Sequence, residues 1–135
     1  MTDAHGTPLA CTLTAANRHD VTQLLPLVEA IAPVRGKPGH PRRRPDSLHA
    51  DRGYDSDPHR RRLRQLGITP QSARRRTAHG SGLGVYRWVV ERTIAWLHQY
   101  RRLRIRYERL PSMHLAFLRL GCALICYHVL KRSLC

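Results

Sequence analysis

Arginine is concentrated in four short segments of this 135-residue chain, and that density of charge keeps those segments out of an apolar core. The segments are 42–44, 60–62, 74–76 and 101–106. Lysine and arginine number 24 against 9 carboxylates, which gives a formal net charge of +15, and 22 of these cations are arginines. The planar guanidinium group pairs with phosphate through two parallel hydrogen bonds. Because uncompensated clusters repel one another unless a polyanion is bound, the composition predicts a nucleic-acid partner and argues against a neutral enzyme of small metabolites.

The cysteines and the apolar segments of the sequence indicate the cellular compartment of the protein. The four cysteines are scattered, so a disulfide framework is not indicated and we expect a reducing cytoplasm. Residues 1–14 carry neither a cationic start nor a long apolar stretch, so no secretory signal is predicted. The most apolar segment, 115–130, contains Arg119 and His128 and is shorter than the roughly 20 residues that a bilayer span needs. We therefore expect a core helix buried against a sheet, and no membrane contact.

The spacing of apolar residues, glycines and prolines predicts alternating strands and helices. A strand over 8–14 follows a turn at 5–7, and its hairpin partner is expected to be a stub or missing. The segment 33–47, rich in Pro, Gly and Arg, is predicted to be a mobile basic loop. The other predicted elements are a helix capped by Asp20, a strand over 47–51, a helix from Asp57 to Gly67, a strand over 68–71, an amphipathic helix over 85–100 and a last helix from Pro111. This order is that of an α/β protein.

Two acids stand among apolar neighbours in a chain that has few of them. Asp51 ends a predicted strand, which places its side chain at the carboxyl edge of a sheet, where open α/β folds have their sites. Glu91 lies in the middle of the predicted helix, at the border of a stripe formed by Tyr86, Val90 and Ile94. Mg²⁺ prefers hard oxygen ligands and usually takes one or two carboxylates together with phosphate oxygens. The two acids are therefore candidates for metal-assisted phosphoryl transfer.

Structural roles are open for the same residues. Asp51 also fits a turn cap or a partner of Arg52, and Glu91 fits an ordinary helix ion pair with Arg87, four residues earlier. Trp88 and Trp96 fit a core better than a base-stacking surface, whereas Tyr54 is the better candidate to meet a substrate. The loop over 78–84 lacks the Gly-Lys-Ser/Thr of a phosphate-binding loop, and the cysteines and histidines lack zinc-ligand spacing.

Four phrases, in order, resemble the carboxyl-terminal half of bacterial insertion-sequence transposases of the DDE type. They are NRHDVTQLLPLV (17–28), ADRGYDSD (50–57), HGSGLG (79–84) and RWVVERTIAWLHQYRRLRIRYER (87–109). The resemblance covers about residues 3–127 and is to the insertion-sequence-five branch of the insertion-sequence-four-like superfamily. It implies an RNase H-like α/β fold, with a mixed sheet flanked by helices, in which three acids bind two Mg²⁺ or Mn²⁺ ions.

The resemblance implies that Asp51 matches the second catalytic aspartate and Glu91 the catalytic glutamate, both as metal ligands. The family signature also has a tyrosine where this chain has Gly84 and a lysine where it has His98. The first aspartate is expected upstream of the matching segment, and Asp3 does not fit it. We therefore expect residues 1–135 to be a partial catalytic domain, truncated at its N-terminal strands and inactive alone. The arginines expected to neutralise DNA phosphates are Arg74, Arg75, Arg76, Arg87, Arg92, Arg101, Arg102 and Arg104.

The sequence thus predicts a transposase fragment for DNA transposition by an insertion sequence. The expected partner is double-stranded DNA, at element ends and targets, together with an upstream transposase half or a second copy, in the nucleoid-associated cytoplasm. The alternatives are a non-catalytic DNA-binding remnant that regulates an intact transposase, and a split enzyme completed by a separate upstream product. A basic RNA-binding protein is a poorer third, because it gives the two acids no purpose.

Overall fold

The computed structural model describes residues 1–36, 38–72, 74 and 84–134, which fall into two separately packed units. One unit is formed by residues 14–86, and the other by residues 1–13 together with 87–135. Most of the glycine loop predicted over 78–84 and the predicted DNA-binding residues Arg75 and Arg76 lie outside the described residues.

Two parallel strands and the helix between them organise the unit of residues 14–86. Strand β1 (Ser47–Ala50) pairs with β2 (Thr69–Ser72), so that Ser47 lies opposite Thr69 and Ala50 opposite Ser72. Parallel neighbours need a crossover, which the helix Asp57–Gln65 supplies. Leu63 and Ile68 are 2% and 1% exposed and form the centre of this core. The predicted α/β order is confirmed here as a small parallel sheet with helices.

The ends of that crossover helix follow from local chemistry. Pro58 lies in the first turn of the helix, where a backbone N–H has no partner within the helix, so the N–H that proline lacks costs no hydrogen bond. Ser56 precedes the helix in an extended conformation. Gly67 follows with φ +78°, a left-handed conformation that glycine adopts without a steric penalty. These boundaries agree with those predicted from the sequence.

The segment before β1 contains a short 3₁₀ turn (Asp20–Gln23) that continues into helix α1 (Leu24–Glu29), and the crossover helix is α2. Leu24 and Val28 are buried on one face of α1. The prediction that Asp20 caps this helix is wrong, because Asp20 lies inside the first turn and His19 precedes it without a side-chain cap. Beyond α1, the backbones of Val34 and Arg42 form an isolated antiparallel bridge within the predicted basic loop.

An N-terminal turn and three helices form the other unit, except that the first three residues of the first of these helices belong to the unit of residues 14–86. The helices are α3 (Gly84–His98), α4 (Arg101–Arg104) and α5 (Pro111–Leu134). The predicted turn at 5–7 is present, because the Asp3 N–H donates to the Thr7 carbonyl at 2.9 Å. The predicted strand over 8–14 is wrong, since only Pro8 forms a bridge, to Thr2. The Leu9 and Ala10 amides both donate to the carbonyl of Met1, and the Met1 amino group donates to the Ala10 carbonyl at 2.8 Å.

Helix α5 contradicts the prediction of a core helix buried against a sheet. Within the described chain only Gly121 and Ile125 of this helix are buried. Its exposed large apolar side chains are Met113, Leu120, Leu124, Tyr127, Val129, Leu130 and Leu134. The physical reason is that α4 and the N-terminal segment cover only one side of a helix that is apolar all round. With 24 residues and a window of mean hydropathy 1.6, α5 also has the length and composition of a membrane span, which corrects the length argument made from residues 115–130.

Candidate functional site

Asp51 follows β1 directly and closes the turn at the carboxyl end of the strand. Its backbone is extended, with φ −72° and ψ 177°, and its Oδ1 accepts the Gly53 N–H at 2.8 Å. The Tyr54 N–H donates to the Asp51 carbonyl at 3.2 Å, which completes a 3₁₀ turn over Arg52–Tyr54. The side chain of Asp51 therefore caps the turn, as one of the two structural alternatives predicted, and the residue is solvent-exposed.

Behind this turn lies a buried ion pair that the sequence analysis missed. The Arg60 Nε donates to Asp55 Oδ1 at 2.7 Å, and the side chains of these residues are 9% and 14% exposed. The Arg60 Nη2 donates to the Ser72 carbonyl, the last residue of β2, at 2.6 Å. One arginine of a segment read as a basic surface cluster is thus an internal connection. The available signal was Asp55, an acid placed just before the helix that carries Arg60.

Tyr54 occupies the same turn and is half-buried. Burial raises the pKa of its hydroxyl, and the nearby charges of Asp20 and Asp51 raise that pKa further. The hydroxyl therefore stays protonated near neutral pH and is available as a hydrogen-bond donor. Contact between Tyr54 and a substrate stays a prediction.

Glu91 lies on the exposed side of α3. The Arg87 Nε donates to Glu91 Oε1 at 2.9 Å, and the two side chains are 78% and 61% exposed. This is the helix ion pair anticipated as the structural alternative, and it contributes about 0.2–0.5 kcal/mol. Among the residues of α3 whose burial the structure describes, Val89 and Thr93 are buried, whereas the predicted apolar stripe is about half exposed at Tyr86, Val90 and Ile94.

The tryptophans of α3 hold an arginine between them. The Arg92 guanidinium lies 4.2 Å from the centre of the Trp88 ring and 5.7 Å from that of Trp96. These distances favour cation–π attraction. The three residues are spaced four apart in the sequence, so they lie on one face of the helix. Trp88 is 45% exposed, so its assignment to a core is wrong, while Trp96 is partly buried.

Three of the remaining predicted DNA-binding arginines lie on α4. Arg101 lies 5.9 Å above the Tyr107 ring, and Arg102 lies 5.1 Å above Phe117. Arg104 is exposed. Arg74 belongs to the unit of residues 14–86, is exposed and takes part in an interaction. Contact of any of these side chains with phosphate stays a prediction.

Arg102 has a second role that the sequence analysis missed. Its Nη1 donates to Glu108 Oε1 at 2.6 Å, and the Glu108 side chain is 7% exposed. This hydrogen bond lowers the pKa of the Glu108 carboxyl. His114 Nδ1 lies 3.7 Å from Glu108 Oε2, too far for a hydrogen bond, and both atoms are buried and unpartnered among the described residues.

Asp51 and Glu91 fit a hard divalent cation, because their carboxylate oxygens are hard ligands. One oxygen of each carboxylate accepts a hydrogen bond, from the Gly53 N–H in Asp51 and from Arg87 in Glu91. The two acids belong to different units, Asp51 to residues 14–86 and Glu91 to the unit that includes 87–135. Over the part of the chain that the structure describes, no group of three or more His, Cys, Asp or Glu side chains is gathered to hold a metal ion.

Comparison with known proteins gives two matches. Residues 1–126 match the family described as "Transposase DDE domain". Over 133 residues the chain is 65% identical to a curated protein of Burkholderia cepacia named "Putative transposase for insertion sequence element IS402". That alignment covers 98% of this chain and 63% of the relative, so the chain spans less than two thirds of the relative's length. No solved structure matches the chain.

Proposed function

Because this chain belongs to the transposase DDE domain family, we propose that it binds insertion-sequence DNA and takes part in cutting and joining phosphodiester bonds. The resemblance to bacterial insertion-sequence DDE transposases is confirmed by the family match and by the 65% identical relative. The observation that carries the proposal is that the match, over residues 1–126, includes Asp51 at the carboxyl edge of a parallel strand pair.

The proposed architecture is the RNase H-like fold, with β1 and β2 as part of a mixed sheet flanked by helices. Residues 1–135 then form part of one DDE catalytic domain, in which the basic segment 33–47 leads into β1. The parallel pairing of β1 and β2 through α2 is compatible with this assignment. Helix α5 carries seven of the exposed large apolar side chains, from Met113 to Leu134.

Asp51 and Glu91 are proposed as ligands of Mg²⁺ or Mn²⁺. When bound, such ions activate a water molecule or a 3′-hydroxyl and stabilise the leaving oxygen of a phosphodiester. The contribution of the protein is to fix the two carboxylates. The Gly53 N–H holds Asp51 Oδ1, and Arg87 holds Glu91 Oε1 while balancing its charge. Both acids are exposed, so a phosphate backbone can approach them.

Phosphate neutralisation is proposed for the arginines of α3 and α4 together with Arg74, Arg75 and Arg76. Arg87, Arg92, Arg101 and Arg104 are exposed, and Arg102 keeps 59% of its side chain exposed beside Glu108. A net charge of +15 attracts double-stranded DNA at element ends and targets and makes affinity fall as salt rises. The proposed location is the nucleoid in the cytoplasm, with an upstream transposase half or a second copy as protein partner.

The test is cleavage and joining of labelled element-end duplex in Mg²⁺ or Mn²⁺. The chain is assayed alone and with the upstream half of a family member supplied as a separate polypeptide. We expect activity that requires the added half and is abolished by Asp51→Asn and by Glu91→Gln. DNA affinity at matched salt should change by less than about threefold in these variants, because neither acid is placed on a phosphate. Cleavage that survives both substitutions would overturn the assignment of the acids.

A second candidate function is a DNA-binding remnant that regulates an intact transposase without cutting DNA. It is favoured by the absence of a three-residue metal-ligand group among the described residues. In that case the added half leaves the reaction silent, salt-sensitive DNA binding persists, and the chain inhibits an active family member on the same DNA ends.

A further inference from the structure

We propose that Arg60 is a positioning residue for Asp51, which it serves by tying the turn after β1 to the end of β2. The proposal rests on the proposed function of Asp51 as a metal ligand. It assigns a role to an arginine that the sequence places in a surface cluster, and it involves only residues of the unit 14–86.

The chain of contacts runs from the end of β2 to the Asp51 carboxylate through four hydrogen bonds. The Arg60 Nη2 donates to the Ser72 carbonyl at 2.6 Å, and its Nε donates to Asp55 Oδ1 at 2.7 Å. The Asp55 N–H in turn donates to the Arg52 carbonyl at 3.2 Å, which closes the turn. Within that turn the Gly53 N–H donates to Asp51 Oδ1 at 2.8 Å. Arg60 therefore fixes the direction of the Gly53 N–H. The Gly53 N–H in turn fixes the orientation of the Asp51 carboxylate.

The register of the sheet explains why this connection acts at the right place. Ala50 lies opposite Ser72, so the residue before Asp51 and the carbonyl that accepts from Arg60 stand at the same edge of the parallel pair. Arg60 crosses from α2 to that edge and is 8% exposed. The Arg60–Asp55 pair is shielded from water, which strengthens its hydrogen bond and holds its geometry.

Arginine is required at this position because its fork donates in two directions at once. A lysine keeps the positive charge but has one compact ammonium group and cannot reproduce the planar pair of donors. Asp55 is the matching half, because its carboxylate neutralises the buried guanidinium while its own N–H closes the turn. Groups that orient a metal ligand in this way typically change metal affinity by about 10-fold to 100-fold when they are removed.

The control for Arg60 lies beside it in the sequence. Arg61 is on the same helix and is exposed, so Arg61→Lys changes the same residue type without touching the turn. Asp55→Asn tests the same connection from its other end and keeps the side-chain shape. It also keeps the proposal falsifiable if Arg60→Lys fails to fold.

The experiment records backbone amide spectra of the full chain by NMR, with Mn²⁺ as the paramagnetic probe. In the wild type, Mn²⁺ should broaden the Gly53 and Tyr54 amides, and Asp51→Asn should remove that broadening. We expect Arg60→Lys and Asp55→Asn to raise the Mn²⁺ concentration needed for this broadening by about 10-fold, with faster exchange of the Gly53 amide hydrogen, while Arg61→Lys behaves as wild type.

The outcomes separate the two proposals. If Arg60→Lys and Asp55→Asn lower the melting temperature but leave the Gly53 amide exchange and the Mn²⁺ response unchanged, Arg60 has a structural role only and the inference is overturned. If the wild-type Gly53 amide does not respond to Mn²⁺, or responds equally in Asp51→Asn, the metal role of Asp51 fails. In that event the Gly53 amide exchange still decides whether Arg60 orients the Asp51 turn.

Discussion

The hydroxyl of Thr93 donates to the carbonyl of Gly6 at 2.6 Å and joins two residues 87 positions apart in the sequence. Thr93 is 5% exposed and lies two residues after Glu91 on α3. Gly6 has φ +85°, and a Cβ at this position would stand 3.0 Å from the Thr93 hydroxyl and 3.3 Å from the Val89 carbonyl. The N-terminal turn therefore packs on α3 through a glycine that no side chain can replace without strain, and it anchors the helix that carries Glu91.

Replacing Thr93 by valine should destabilise the chain. Valine keeps the volume but leaves the buried Gly6 carbonyl without its donor, which costs about 1–3 kcal/mol. Urea unfolding followed by circular dichroism measures the loss as a lower midpoint at unchanged slope. Thr93→Ser keeps the hydroxyl and should recover most of the loss. If the valine and serine variants are equally stable, the hydrogen bond does not contribute as described.

The Arg102–Glu108 pair should make stability depend on pH in the acid range. The hydrogen bond from Arg102 lowers the Glu108 pKa below its ordinary value of 4.5 in the folded chain. The folded state therefore favours the charged carboxylate, so the stabilisation is complete above about pH 4.5 and is lost as pH falls through the lowered pKa. Melting curves of wild type and Glu108→Gln should differ at neutral pH and converge on acidification. A gap that stays constant into the acid range would contradict this linkage.

Cys122 should react slowly with alkylating reagents. Burial, followed by the nearby Cys11 thiol, raises the Cys122 pKa from 9.0 to about 11. At pH 8 this lowers its thiolate fraction by about 100-fold relative to an unperturbed thiol, and the thiolate is the reactive form. Iodoacetamide labelling with fragment mass spectrometry should show Cys122 protected in the native chain and reactive in urea. Cys11→Ser should partly restore native reactivity, and rapid native labelling of Cys122 would refute the burial argument.

Local signals in the sequence predicted the elements that local chemistry controls. Pro58 and Gly67 mark the two ends of α2, and the parallel strands on either side of it were predicted within two residues of their observed bounds. A left-handed glycine or a proline in a first helical turn acts on its own neighbours, so neither needs tertiary contacts to be recognised.

Features that depend on distant partners could not be predicted in the same way. Arg60, Arg61 and Arg62 are consecutive in the sequence, yet Arg60 alone of the three is buried, and its acceptor is the carbonyl of Ser72, twelve residues later. The burial of α5 was predicted from an apolar composition that has no preferred face, and such a helix gives no signal of which side is covered. The turn-capping role of Asp51 was one of several alternatives in the sequence. It is identified by the hydrogen bond from the Gly53 N–H to Asp51 Oδ1, which depends on the folded turn.

The salt dependence of DNA binding should depend on particular arginines and not on total charge alone. Arg104 is exposed on α4 and is proposed to meet a phosphate, whereas Arg119 is exposed on α5 and is not. Arg104→Gln and Arg119→Gln remove the same single charge, so they form a matched pair. Each phosphate contact that is lost reduces the slope of log affinity against log salt concentration by about 0.9.

Fluorescence anisotropy of a labelled duplex over a salt series measures both slopes. We expect Arg104→Gln to flatten the slope by about one contact and to weaken binding to different duplex sequences to a similar extent, while Arg119→Gln stays close to wild type. If both variants have the same slope and it is lower than that of the wild type, the salt dependence of DNA affinity is set by the total charge of the chain. An unchanged slope in Arg104→Gln would remove Arg104 from the DNA-binding surface, because a side chain that neutralises a phosphate must release counterions when it binds.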